Sequence, residues 1–149
     1  MRRRMAATVL AVLAATPAAA APSTDEVLRE FQLFGTWAVD CAAPASPANP
    51  HVSDASMRAG LILEDHDLGA GNINRYRIVT AERLSDARLA LDVIFRPGDT
   101  GAERQRLELT VRNGTRRTMF NRPEEGPVRV RNGTVVGAGL KTPLLSKCE

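Results

Sequence analysis

Residues 104–121, RQRLELTVRNGTRRTMFN, decide the fold. From Arg106 onward the side chains alternate. Leu107, Leu109 and Val111 fall on one side, and Arg106, Glu108, Thr110 and Arg112 on the other. A period of two marks a strand with one face in a core and one in water. Asn113-Gly114 then breaks the run. The favoured two-residue hairpin turn needs positive φ at both positions, which Asn and Gly tolerate. Arg104–Arg112 is therefore expected to pair with Thr115–Asn121. The string Val-Arg-Asn-Gly-Thr recurs at 130–134, which predicts a second hairpin, Pro127–Arg131 with Thr134–Gly137.

Towards the N-terminus the same pattern repeats. Arg88–Arg96 carries Leu89, Leu91, Val93 and Phe95 on one face. Asn72–Leu84 places Tyr76, Ile78 and Thr80 opposite Arg75, Arg77 and Val79. Gly60–Asp65 reads as a strand with Leu61 and Leu63 inward, and Phe34–Cys41 as the first strand, with Trp37 and Val39 on one face. Thr142–Cys148 supplies the last. Between the first two strands, Pro44, Pro47 and Pro50 exclude helix and central strand, leaving an extended loop of small residues. Before them all, Ser23-Thr24-Asp25-Glu26 fits a capping box opening a short helix over 23–32, with Val27, Leu28 and Phe31 on one face and Gly35 as its stop. The expected fold is all-β: an antiparallel up-and-down meander of roughly eight strands, closing into a barrel that removes exposed edges, preceded by one short helix.

The chain opens with Arg2-Arg3-Arg4, a short apolar run over Met5–Ala15, and small residues to Ala21. That order predicts a secretory signal peptide over 1–20, cut after Ala20. The run is too short to span a bilayer. An N-terminal segment, 21–33, and a barrel domain, 34–149, then form the mature protein, periplasmic or secreted. The chain has 20 Lys+Arg and 17 Asp+Glu; loss of the three leader arginines leaves 17 of each. A neutral mature domain carries no nucleic-acid signal. Export also places Cys41 and Cys148, the two cysteines, in an oxidising compartment where a pair joins. In an up-and-down barrel the first and last strands are neighbours, so this bond would span the closure.

The short helix followed by Gly35-Thr36-Trp37 at the start of the first strand resembles the opening of lipocalin-like (calycin) barrels. That resemblance implies that Trp37 seals the closed end, that a basic side chain of the last strand, here Lys147, packs over it, and that the long loop after the first strand lids the open mouth. Two family features depart from this pattern: no Thr-Asp-Tyr-like motif is seen in the later strands, and no C-terminal helix is expected after the last strand. Small periplasmic inhibitors of secreted metalloproteases are similar in outline, although their disulfide is more local. Phe34–Pro50 also resembles uncharacterised exported bacterial proteins with Gly-x-Trp, Asp-Cys and a Pro-rich loop.

Few residues suggest chemistry. Glu64-Asp65-His66-Asp67 holds possible metal ligands, with Glu64 and His66 on one strand face, but lacks Cys/His zinc spacing. His51-Val52-Ser53-Asp54 has the residue types of a hydrolase triad, yet residues so close in sequence rarely converge. Neither a nucleophile elbow nor a phosphate loop is present. No metal, cofactor or catalytic residue is expected. Arg104, Arg106, Arg112, Arg116, Arg117, Arg122, Arg129 and Arg131 point to one basic barrel wall, able to meet a membrane surface or an acidic partner. The expected function is an exported, non-enzymatic, monomeric binding protein that carries a small apolar or amphipathic ligand at a mouth near Tyr76 and Phe95. The alternative is a periplasmic interaction or inhibitor protein acting on an envelope protein through its N-terminal segment, its Pro44–Pro50 loop or its basic wall.

Overall fold

The computed structural model describes residues 20–149; all but the last residue of the expected signal segment lies outside the described residues. Helix α1 (Thr24–Glu30) precedes strands β1 (Gly35–Ala38), β2 (His51–Ser56), β3 (Ile62–Asp67), β4 (Ile73–Ser85), β5 (Arg88–Phe95), β6 (Glu103–Arg112), β7 (Thr115–Pro123), β8 (Val130–Arg131), β9 (Thr134–Val135) and β10 (Leu145–Lys147). Each strand from β1 to β7 pairs antiparallel with the next, and β10 pairs with both β1 and β7. That pairing closes an eight-stranded meander barrel. The β8–β9 hairpin hangs from the far end of β7.

The local chemistry explains the elements. Ser23 caps α1 and Glu26 reaches back to it, so both partners of the capping box are in place. Asn113 and Gly114 have φ of +52° and +69°, and Asn132 and Gly133 repeat this at +50° and +68°. The helix packs along β4 and inserts Val27, Leu28 and Phe31 into the core formed by Trp37, Leu89, Leu91 and Leu109. Cys41 and Cys148, just beyond the ends of β1 and β10, form a disulfide across the closure.

Several inward and outward assignments need correction. On β3 the lumen-facing residues are Ile62 and Glu64, opposite Ile78 and Tyr76; Leu61 and Leu63 are not in the core. The run Leu61-Ile62-Leu63 is apolar in either phase, so only pairing sets which side faces in. A β-bulge after Ile78 flips β4, so Ala81 packs on the core while Thr80 faces out and donates to Asp92 at 2.8 Å. Val39 lies past the end of β1 and is exposed, off the Trp37 face. Arg116 belongs to the lumen rather than the basic wall, because the hairpin register sets it opposite Val111. Residues 51–56 form a strand that the sequence had not suggested. The second hairpin pairs only two residues a side.

The proline loop is compact rather than extended. Ser46 and Asn49 exchange backbone hydrogen bonds at 3.1 and 3.0 Å. The buried Asn49 amide donates to the carbonyls of Asp40, Ala43 and Pro44. The loop rests on the β3–β4 turn so closely that a Cβ on Gly69 would lie 2.4 Å from the Ala45 carbonyl oxygen; Gly69 also has φ of +82°. Gly69→Ala is therefore expected to lift the loop and cost about 1–3 kcal/mol. Hydrogen exchange should accelerate at the Ser46 and Asn49 amides, while the β5–β6 amides stay protected. Unchanged exchange in the loop would show that the contact does not hold it.

Candidate functional site

The barrel has two chemically different ends. At the helix end, Trp37 is buried and its indole N–H donates to the Leu33 carbonyl at 2.8 Å. Lys147 Nζ lies 4.5 Å from the Trp37 ring centroid and donates to the Gln32 and Phe34 carbonyls. Gly35 fits because a Cβ there would come within 3.1 Å of that ammonium. Burial lowers the Lys147 pKa. Gly35, Trp37 and Lys147 thus form one cluster at this end.

Towards the loop end, the lumen holds charges. Arg116, 3% exposed, reaches across from β7 to two neighbouring strands. It donates to Asp54 Oδ2 on β2 at 2.7 Å and to Glu64 Oε2 on β3 at 2.8 Å. Glu64, 1% exposed, also meets His66 Nε2 at 2.6 Å through its other oxygen. Asp54 Oδ1 is buried without a partner. The Arg116 guanidinium stands 5.7 Å from the Trp37 ring centroid, linking the charged cluster to the sealed end.

The two carboxyl groups share one cation, so they divide. Burial, and then the charge of Glu64, raise the Asp54 pKa well above its ordinary 3.8. Burial also opposes ionisation of Glu64, but Arg116 and His66 outweigh it and hold its pKa well below 4.5. Burial works against the Arg116 charge, and the two acids more than restore it. The arrangement favours the proton on Asp54 and the charge on Glu64, which faces Arg116.

Two substitutions test this division. At pH 7, Glu64→Gln removes the anion facing buried Arg116 and should cost about 3–5 kcal/mol. Asp54→Asn mimics the neutral acid and should cost about 1 kcal/mol or less. The linkage signs are opposite. Above about pH 3.8 the unfolded chain releases the Asp54 proton that the fold retains, so this group's contribution falls as pH rises towards the folded pKa. Glu64 contributes fully above 4.5 and loses that contribution as pH falls through its lowered value. Urea unfolding from pH 4 to pH 8 should thus show Asp54→Asn gaining on the wild type as pH rises. Equal costs for the two substitutions at pH 7 would contradict the division.

Beyond the charges lie the two aromatic residues expected at the mouth. Tyr76 and Phe95 have ring centroids 5.0 Å apart, and His66 extends the row at 4.8 Å from Tyr76. Burial, then the Glu64 charge, push the Tyr76 pKa up to about 12. Beside them runs a polar chain: Asn121 donates to Gln105, Gln105 to Glu103, and Arg129 pairs with Glu103.

No family model, curated protein or solved structure matches the chain. The site must be judged on its own geometry. The possible triad separates: Ser53 bonds Thr36, His51 holds the proline loop through the Ala43 carbonyl, and Asp54 points into the lumen. Glu64 and His66 join the inner cluster, whereas Asp65 faces out and pairs with Arg75. Among the described residues, no group of three or more His, Cys, Asp or Glu is placed to hold a metal ion. Of the expected basic wall, Arg106 pairs with Glu82 and Asp92, and Arg129 with Glu103. Arg104, Arg112, Arg117, Arg122 and Arg131 have no ion pair among the described residues. The sequence placed Arg116 on the basic wall and Asp54 in a possible triad, and gave no sign that the two meet inside the barrel. Arg116 was findable: a two-residue Asn-Gly turn places it opposite Val111, an inward residue.

Proposed function

We propose that this chain is an exported, non-enzymatic binding protein of the cell envelope that engages a protein partner through the outside of its barrel. One observation carries this: the lumen is filled. Trp37, Leu89, Leu91 and Leu109 occupy its centre, and its charged groups are engaged with one another. A concavity of about 580 Å³ lies instead on the outer face of β4–β7. Its lining includes Val79 and Phe120 beside Arg104 and Arg122. Arg122 stands directly across from Arg106 in the ladder. Like charges so placed repel, and Glu82 and Asp92 neutralise only Arg106. A partner presenting carboxylates beside an apolar side chain would complement Arg104 and Arg122. The leader-like N-terminus supports export. The likeness to lipocalin-like barrels and to exported protease inhibitors supports binding over catalysis.

A second reading, a carrier of a small apolar ligand at the mouth, is favoured by the His66–Tyr76–Phe95 row. Native mass spectrometry of the unreduced mature protein from the periplasm separates the two. The bare mass of the disulfide-bonded chain is expected. A small-molecule adduct released on gentle activation would overturn the surface reading in favour of the carrier. Chemical cross-linking in intact cells, followed by purification of the captured protein, supplies the partner; Arg104→Glu and Arg122→Glu should abolish reconstituted binding to it, and Arg112→Glu should not. Binding indifferent to all three would reject this face.

A further inference from the structure

At one seam of the barrel, β7 changes partners. Thr115 and Arg116 pair with β10, whereas Phe120 and Asn121 pair with β8. The stretch between, 117–119, has no ladder partner on that side. Thr142 Oγ1, donating to the Thr118 carbonyl at 2.7 Å, and the Gly133 amide, donating to the Met119 carbonyl at 2.9 Å, bridge the gap. Within the seam is a small, largely enclosed pocket of about 80 Å³. Val52 and Leu145 are among its apolar walls, and its polar groups come from His66, Arg116, Arg117 and Thr118.

The chemistry of that lining is one-sided. No carboxylate lines the pocket itself; Glu64 lies behind the lining, bonded to His66 and Arg116. Arg116 is already neutralised from the lumen by Asp54 and Glu64. Arg117 is not: it has no ion pair among the described residues, and its Nε–H is buried without an acceptor. A buried donor lacking an acceptor is uncommon in folded proteins and costs stability unless a ligand or water meets it. Water occupies roughly 30 Å³ per molecule in the liquid. The pocket thus has room for two or three waters or for one small oxyanion, and none for a nucleotide or an acyl chain.

We infer that this seam pocket binds a small oxyanion, of carboxylate or inorganic phosphate size. Arg117 supplies the uncompensated charge and the Nε–H, and the Thr118 hydroxyl a further donor. Charge-assisted hydrogen bonds of this kind are the strong ones in a low-dielectric site. The site is separate from the outer groove, so the inference stands or falls independently of the proposed partner binding.

The test is a titration of the full mature protein with sodium acetate, and separately with sodium phosphate. Sodium chloride holds the ionic strength constant. The arginine Nε–Hε resonances are followed by NMR. A saturable shift confined to Arg117 and Arg116 is expected. Acetate alone, or phosphate alone, producing it would distinguish the two anion classes. Arg117→Gln should weaken binding about tenfold or more, as loss of a charged hydrogen-bond partner implies, and Thr118→Val should weaken it less. Arg112→Gln should leave it unchanged. Should Arg117→Gln fail to fold, the wild-type titration and Thr118→Val still decide the matter. A non-saturating drift shared with Arg104 and Arg122 would mean general screening, and no shift with either anion would mean that the pocket holds only water. Either result overturns the inference.

Discussion

Arg116→Met is expected to lower the stability of the barrel domain by about 3–5 kcal/mol, enough to unfold a marginal barrel. The substitution keeps the length and apolar volume of the stem but removes the cation that contacts both Asp54 and Glu64. Glu64 would then be a buried carboxylate whose remaining partner is His66. The loss is structural as well as electrostatic, because Arg116 ties β7 to β2 and β3 across the lumen, strands far apart in the meander. Urea unfolding, followed by Trp37 fluorescence, measures it. A triple variant, Asp54→Leu, Glu64→Met and Arg116→Met, removes the whole polar cluster together. It should recover much of the loss, since a buried ion cluster replaced as a unit by apolar groups is often neutral or stabilising. If Arg116→Met alone unfolded at the wild-type midpoint, the cluster would contribute nothing to the fold.

Cys41→Ser is the second large effect. The bond joins residues separated by 107 positions, and a chain-entropy account gives about 4–5 kcal/mol for a loop of that size. The bond also fastens the start of the proline loop to the end of β10, next to Lys147 and thus to the cover of Trp37. The β1–β10 closure rests on only two residue pairs, Trp37 with Lys147 and Ala38 with Ser146. Without the disulfide, this short seam should open first. The expected measurement is a drop in the urea midpoint for Cys41→Ser, matched by the wild type in reducing agent and unaltered by reducing agent in the variant. A wild type equally stable with and without reductant would show that closure does not depend on the bond.

How much of this was legible before folding varies by element. β5 and β6 were read correctly to within a residue or so, because Leu107 and Leu109 alternate with Arg106, Glu108 and Thr110, and on β5 the large side chains Leu89, Leu91 and Val93 fall in one phase, with Arg88, Ala90 and Asp92 in the other. The Asn-Gly turns were equally clear, since the positive φ they need is a property of two residues alone. The helix cap is likewise local. β2 was missed because His51-Val52-Ser53-Asp54 offers a single apolar inward residue. Its other inward position holds a carboxylate that only a lumenal arginine makes tolerable. β3 was read in the wrong phase for a related reason: Leu61-Ile62-Leu63 is apolar in either phase, and the inward phase continues into a carboxylate, Glu64.

Alternation, turn chemistry, the capping box and the cysteine count are short-range properties. They determined from the sequence by itself an all-β meander with one short helix, and made one pairing, Cys41 with Cys148, the natural expectation. Tertiary structure alone decided which face of β3 is inside, where β4 bulges, and that Asp54, Glu64 and Arg116 share the lumen. A charged side chain is stable in a core only when its partner arrives from another strand. Arg116 is separated from those two acids by 62 and 52 residues. No local pattern encodes that meeting; barrel closure, which sets the register of β7 against β10 and of β2 against β1, brings them together.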